Sequence, residues 1–182
     1  MAKRVFASDI SEPSLEKAKK LVEKENLKNV FFYVSDGFSE FNEKPDAAVI
    51  AGMGGEIIKN IISHPFAKIK LVLQPMKDSD ILFKGLYELE FCIEKEVIAR
   101  EGGRFYEVIL ASPGEDKPFN YYLPPMDRLK KDEIALKFLE HKISVLKKAA
   151  KGAQNTSNNY RFIELSEMIK TIEGVIKNDF GK

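Results

Sequence analysis

The stretch Asp46-Ala-Ala-Val-Ile-Ala-Gly-Met-Gly-Gly55 decides the fold. Five strand-forming residues, Ala47 to Ala51, run directly into three glycines with one methionine among them. Residues apolar on both faces belong to a strand flanked by parallel partners, and glycines remove the Cβ atoms that would keep a ligand off the backbone. Two further strand-like runs end on an acid, at Asp9 and at Asp36. Nucleotide-binding α/β folds present polar groups in this way, at the carboxyl edge of a parallel sheet.

Outward from that stretch, strand and helix signals alternate as far as Pro113, which predicts a mostly parallel sheet with helices on its faces. Val5 to Ser8 is a strand ending at Asp9. Ser11 reads as an N-cap, and Leu15, Ala18, Leu21 and Val22 mark the buried stripe of a helix to about Asn26. Asn29 to Ser35 is a second strand, closed by Asp36-Gly37, and Ala47 to Ala51 is the third, followed by a helix from Glu56 to Ser63. Ile69 to Leu73 makes a fourth strand stopped by Gln74-Pro75, and Ser79 to Leu89 is helical. Phe91 to Ala99 and Arg104 to Ala111 read as an antiparallel hairpin turning at Glu101-Gly-Gly103.

Beyond Pro113 the composition changes. Pro113, Gly114, Pro118, Pro124 and Pro125 mark a linker, so the chain divides into a sheet domain over 1–113, a linker over 114–124 and a second unit over 125–182. In that unit Leu136, Leu139, Ile143, Leu146 and Ala150 follow heptad spacing. Phe162, Leu165, Ile169, Ile172 and Ile176 repeat it after the polar turn Gly152 to Asn159. Two such helices fold back as an antiparallel coiled-coil hairpin, each arm roughly 35 Å long, projecting as a lever from the sheet domain.

The 182 residues are 44% hydrophobic, enough for one sizeable core with an appendage. No apolar run of about 18 residues is present to span a bilayer, and a cytoplasmic location is expected. The lone Cys92, between Phe91 and Ile93, excludes an internal disulfide and a cysteine-cluster zinc site, so no metal is expected. Net charge is +1, but residues 125–151 carry 8 Lys/Arg against 4 Asp/Glu. That concentration fits a nucleic-acid footprint including Lys130, Lys137 and Lys147, and it equally fits a solvated helix face.

Loops after parallel strands share one edge, so Asp9, Asp36, Gly52 to Gly55 and Gln74-Pro75 should line one crevice. A carboxylate at Asp9 is placed to accept from both hydroxyls of a ribose, and Asp36 beside Gly37 from an adenine amino group. Each acid also reads as a simple turn or cap residue. The hairpin brings Arg104 and Tyr106 toward the outer lip, where Tyr106 could stack on a base and Arg104 hold a phosphate. The alternative for Tyr106 is an ordinary cross-strand aromatic.

Ile50-Ala-Gly-Met-Gly-Gly55, Leu73-Gln-Pro-Met76, Gly103-Arg-Phe-Tyr-Glu107 and the final helical hairpin together resemble the bacterial tRNA (adenine(22)-N1)-methyltransferase family over essentially the whole chain. The resemblance implies an α/β, Rossmann-like class I methyltransferase fold with a C-terminal coiled coil, S-adenosyl-L-methionine as cofactor and tRNA as partner. By the family pattern Asp9 and Ile10 fall at the cofactor ribose, Asp36-Gly37 at its adenine, and Ala51-Gly52-Met53 under the cofactor beside the target base. Gln74-Pro75 falls near the incoming adenine.

The sequence departs from that pattern at the front. Only Met1 to Arg4 precede the strand ending at Asp9, so the family's first strand, glycine-rich turn and helix have no counterpart. The expectation is an N-terminally incomplete fold with two unpaired edges, belonging to a chain that is a truncated or mis-started version of a longer protein. Two other functions fit part of the pattern: a non-catalytic RNA-binding or scaffolding protein of the same descent, and a dinucleotide-dependent oxidoreductase. The latter needs a Gly-x-Gly-x-x-Gly turn that Gly52-Met-Gly-Gly55 does not provide.

Overall fold

A computed structural model of the chain describes residues 2–117, 120–121, 123–153 and 159–181. Pro118 of the linker and residues 154–158 of the turn between the two long helices lie outside them.

The first unit is β1 (Val5–Asp9), α1 (Glu12–Lys24) and β2 (Val30–Val34), with β1 and β2 parallel in the register Val5↔Val30 to Asp9↔Val34. Ser11 caps α1 by accepting from the Ser14 N–H, as expected. Of the anticipated stripe only Leu15 is buried; Ala18 and Val22 are half-buried and Leu21 is 58% exposed. The reason is geometric, because a sheet of two strands covers only part of a helix face.

A second sheet has the order β3-β4-β6-β5, from β3 (Ala47–Gly54), β4 (Lys70–Lys77), β5 (Phe91–Glu101) and β6 (Arg104–Pro113). β3 and β4 are parallel, and β6 runs antiparallel to both β4 and β5. Helices α2 (Gly55–Ile62) and α3 (Ser79–Glu88) connect them. Ile58, Ile62, Leu82, Phe83 and Leu86 from the helices and Leu71, Leu73, Phe91 and Ile109 from the strands form the main core, all essentially inaccessible to solvent. Among the described residues β1 pairs only with β2 and β3 only with β4, so each has a free edge.

β4 does not stop at Gln74-Pro75. It continues to Lys77, with Met53 opposite Pro75 and Gly54 opposite Lys77. β6 leaves β4 after Leu73, so the proline, which has no N–H to donate, sits where the strand has a neighbour on one side only.

The hairpin consists of α4 (Glu133–Ala153) and α5 (Asn159–Phe180), antiparallel and linked by the ion pairs Lys131–Asp179 and Lys147–Glu173, both 2.9 Å. All the heptad residues but Leu136, which is buried outside this cluster, lie inside it, joined by Ala135, Phe138 and Met168. Within 125–182 the helix proper begins late, because Asp132 caps it through Oδ1, which accepts from the Ile134 and Ala135 N–H groups at 3.1 and 2.9 Å. Before that, Glu96 N–H donates to the Arg128 carbonyl and Lys130 N–H to the Glu96 carbonyl, laying the segment along β5. The hairpin is therefore no free lever at its base: Ala135, Phe138 and Leu139 share a core with Ile98 of β5 and with Leu123 and Leu129.

Candidate active site

The site begins where β3 becomes irregular, between Ala51 and Gly54. Gly52 adopts φ +79°, the left-handed region, and its N–H donates to Gln74 Oε1 at 3.1 Å. Gln74 Nε2 in turn donates to the Pro75 carbonyl at 2.8 Å, so the side chain is held at both ends. A Cβ built on Gly52 would meet nothing within 4 Å, so the backbone here borders open space. Gly55 is bare for a different reason. A Cβ there would lie 2.0 Å from the Asp78 carbonyl oxygen, so this glycine lets α2 start against the turn that opens α3. The glycine run thus borders open space at one end and serves packing at the other.

On the other sheet Asp9 Oδ1 accepts from the Ser11 N–H at 2.7 Å, and among the described residues Oδ2 is left without a protein donor. Ile10 is 75% exposed. Asp36 Oδ1 accepts from Ser39 Oγ at 2.6 Å, and Gly37 follows with φ +119°. Both acids are therefore turn residues, each with acceptor capacity to spare. Carboxylate acceptors such as those of Asp9 and Asp36 suit the hydroxyls and amino group of an adenosyl cofactor, and the Cβ-free backbone at Gly52 suits its close approach.

At the far end of the edge, a groove of about 550 Å³ is lined by Pro75, Met76, Gly103, Arg104, Phe105, Tyr106, Phe138 and His141. Pro75, Arg104 and Tyr106 are thus brought together. Lys130, Lys137 and Lys147 are not: each is paired with a neighbouring acid, Asp132 at 2.9 Å, Glu133 at 2.6 Å and Glu173 at 2.9 Å. His64, unrelated to this edge, caps a single 3-10 turn at Pro65–Ala67.

Sequence reasoning missed Phe105, Phe138 and His141, although Phe105 sits inside the Gly103-Arg-Phe-Tyr-Glu107 run that drew attention. The Phe105 ring lies 5.7 Å from Phe138 and 5.6 Å from His141, between sheet and hairpin. It also missed Glu96, which the polar run Glu94-Lys-Glu96 disguised as surface. Glu96 is fully buried with no hydrogen-bond donor to either carboxylate oxygen. Burial first, then the negative charge of Glu107, push its carboxyl well above the usual range, against the opposing pull of Lys142.

Parallel strands with crossover helices and an antiparallel β6 inserted between β4 and β5, together with the likeness to solved relatives, define a Rossmann-like methyltransferase of class I type. Comparison with known proteins narrows the class. A profile of the TrmK family, tRNA (adenine(22)-N(1))-methyltransferase, matches residues 1–174, and the chain belongs to that family.

The tRNA (adenine(22)-N(1))-methyltransferase of Bacillus subtilis (strain 168) is 27% identical over 193 residues, which cover 96% of this chain and 81% of that protein. Streptococcus pneumoniae Sp1610 shares the fold with a TM-score of 0.82 at 25% identity, over 96% of this chain and 82% of that one. M. capricolum TrmK, solved with the cofactor product S-adenosyl-homocysteine, shares the fold with a TM-score of 0.78 at 23% identity, over 96% of this chain and 81% of that one. By family the chain is an enzyme, a tRNA (adenine-N1)-methyltransferase that depends on S-adenosylmethionine, and the scaffold alternative is not favoured. No helix among the described residues is long and apolar enough to cross a membrane.

Proposed function

We propose that this chain carries out its family's reaction in the open space bordered by the Gly52–Gln74 hydrogen bond, methylating N1 of an adenine in tRNA in the cytoplasm. The observation that carries the reading is the Gly52 N–H to Gln74 Oε1 bond at 3.1 Å beneath open space, because it fixes a bare backbone and an amide side chain at one point of the edge. Asp9, with Ile10 beside it, would hold the cofactor ribose, Asp36-Gly37 its adenine, and Ala51-Gly52-Met53 would support its centre.

The sulfonium supplies an already activated methyl group. Adenine N1 is a neutral lone pair, so the chain needs no strong nucleophile and mainly has to present the base out of its stack and align two atoms. Gln74 and Pro75 border the approach. Methylation leaves the ring cationic, and carbonyl oxygens such as that of Pro75 are the groups here that stabilise developing positive charge. The basic residues Lys130, Lys137 and Lys147 would meet the tRNA backbone by exchanging weak surface ion pairs for phosphate.

The test is to incubate the chain with S-adenosylmethionine and an unmodified tRNA transcript and to analyse the digested nucleosides by mass spectrometry. 1-Methyladenosine at one position is expected. Bound S-adenosylhomocysteine without methylation would leave a cofactor-binding protein and overturn the catalytic reading.

A further inference from the structure

The crevice at Gly52 and Gln74 accounts for one base, yet the groove beside it is a separate built space that shares Pro75 with the crevice. It is an open groove of about 550 Å³, large enough for a base laid against its side. Its lining includes Tyr106 and Arg104 of β6. It also includes His141 of α4, an exposed ring against Phe105 at an interplanar angle of 37°. Phe105 is itself held by Phe138 on one side and by the Arg100 guanidinium 5.4 Å from its centre. A ring supported in this way is a rigid platform.

Resting on the function proposed above, we infer that this groove is a second nucleotide subsite. It stacks the base adjacent to the methyl-acceptor adenine, between Tyr106 of the sheet and His141 of the coiled coil. The occupant follows from the chemistry of the lining. Extruding one base unstacks its neighbour, and a neighbour tethered by a single phosphodiester reaches only a site contiguous with the first. Aromatic lining residues accept any base face, and an arginine among them suits the intervening phosphate. The placement of His141 also gives the hairpin a direct part in presenting the acceptor base, in addition to any contact with distant phosphates.

The experiment compares adenosine 5′-monophosphate with the dinucleotides ApU and UpA, titrated calorimetrically into the chain saturated with S-adenosylhomocysteine. One dinucleotide is expected to bind about tenfold more tightly than the mononucleotide. His141→Ala should abolish that gain and leave mononucleotide affinity unchanged, while His141→Phe should restore it. A dinucleotide no tighter than the mononucleotide, or a gain that survives His141→Ala, overturns the second subsite and leaves the crevice reading standing. Failure of mononucleotide and dinucleotides alike removes the crevice reading, and this inference with it.

Discussion

Lys142 Nζ of α4 lies 3.8 Å from Glu107 Oε1 of β6, and Ser79 Oγ donates to the other oxygen of the same carboxylate at 2.5 Å. Three elements, α3, β6 and α4, therefore meet at one half-buried acid, with the fully buried Glu96 beside it. The Glu96 carboxyl titrates above its unfolded value because burial and Glu107 both oppose its charge. A group with a raised folded value binds its proton more readily in the folded chain. Its contribution is present at low pH and is lost as pH rises from the ordinary carboxylate range through the raised value. Glu96→Gln keeps the shape and removes the titration, so thermal unfolding should show the variant more stable than the parent at about pH 8, with the gap closing toward about pH 4.

Asp116 behaves in the opposite sense. Its side chain is 2% exposed, pairs with Arg128, and accepts from the Ile93 and Lys117 N–H groups at 3.1 and 2.7 Å, clipping the linker to β5. Burial pushes its carboxyl up, but the Arg128 guanidinium and the two N–H groups outweigh it and hold the value below the ordinary one. That stability is present above the unfolded value and is lost as pH falls through the folded one. Asp116→Ala should cost about 3 kcal/mol in urea unfolding at neutral pH, since it leaves the partly buried guanidinium only the exposed Asp127 at 3.5 Å, and less in acid.

Gly52→Ala separates backbone strain from ligand access. The left-handed φ of +79° should cost about 1 kcal/mol of stability. The new methyl group would project into the open space beside Gln74. S-adenosylhomocysteine affinity should fall well beyond the stability loss, measured by calorimetry on the folded variant; equal affinity would move the cofactor away from Gly52.

Asp9→Ala should weaken the same ligand by about 1–3 kcal/mol through loss of charge-assisted hydrogen bonds. Unchanged affinity would leave Asp9 as the turn residue that its bond to Ser11 N–H already makes it.

Replacing Lys130, Lys137 and Lys147 together by Gln should lower tRNA affinity and flatten its dependence on salt, with little change in melting temperature, because exposed ion pairs of this kind contribute about 0–1 kcal/mol each. An unaltered salt slope would place the RNA on another face.

Elements whose local pattern matches their burial were legible in the sequence. The heptad residues of α4 and α5 announce the hairpin, whereas Ala47 to Ala51, apolar throughout, is covered on one face only: Ile50 is buried and Val49 is 75% exposed, because β3 has a partner on one side alone. What could not be read depends on contacts between distant segments. Pro75 looked like a strand terminator until the departure of β6 at Leu73 showed why it is tolerated. Leu21 obeyed helical spacing, yet the sheet beneath it is too narrow to bury it. Glu96 looked solvated because no single-chain pattern reveals that residues 128–130 run along β5 at that point. In the candidate site the glycine run was visible, whereas the division of labour between Gly52 and Gly55 depends on where Asp78 passes.

Held as proposed at Asp9 and Gly52, a cofactor would bridge β1 and β3, which share no strand pairing among the described residues. The β1–α1–β2 unit buries a single helical side chain, Leu15, so it should open at lower cost than the four-stranded sheet. A ligand gripped by Asp9 on one side and Gly52 on the other would fasten the two sheets together, coupling its binding free energy to the cohesion of the whole domain. Slowed amide exchange in β1 and β2 upon saturation would then report occupancy from a segment that does not touch the methyl group.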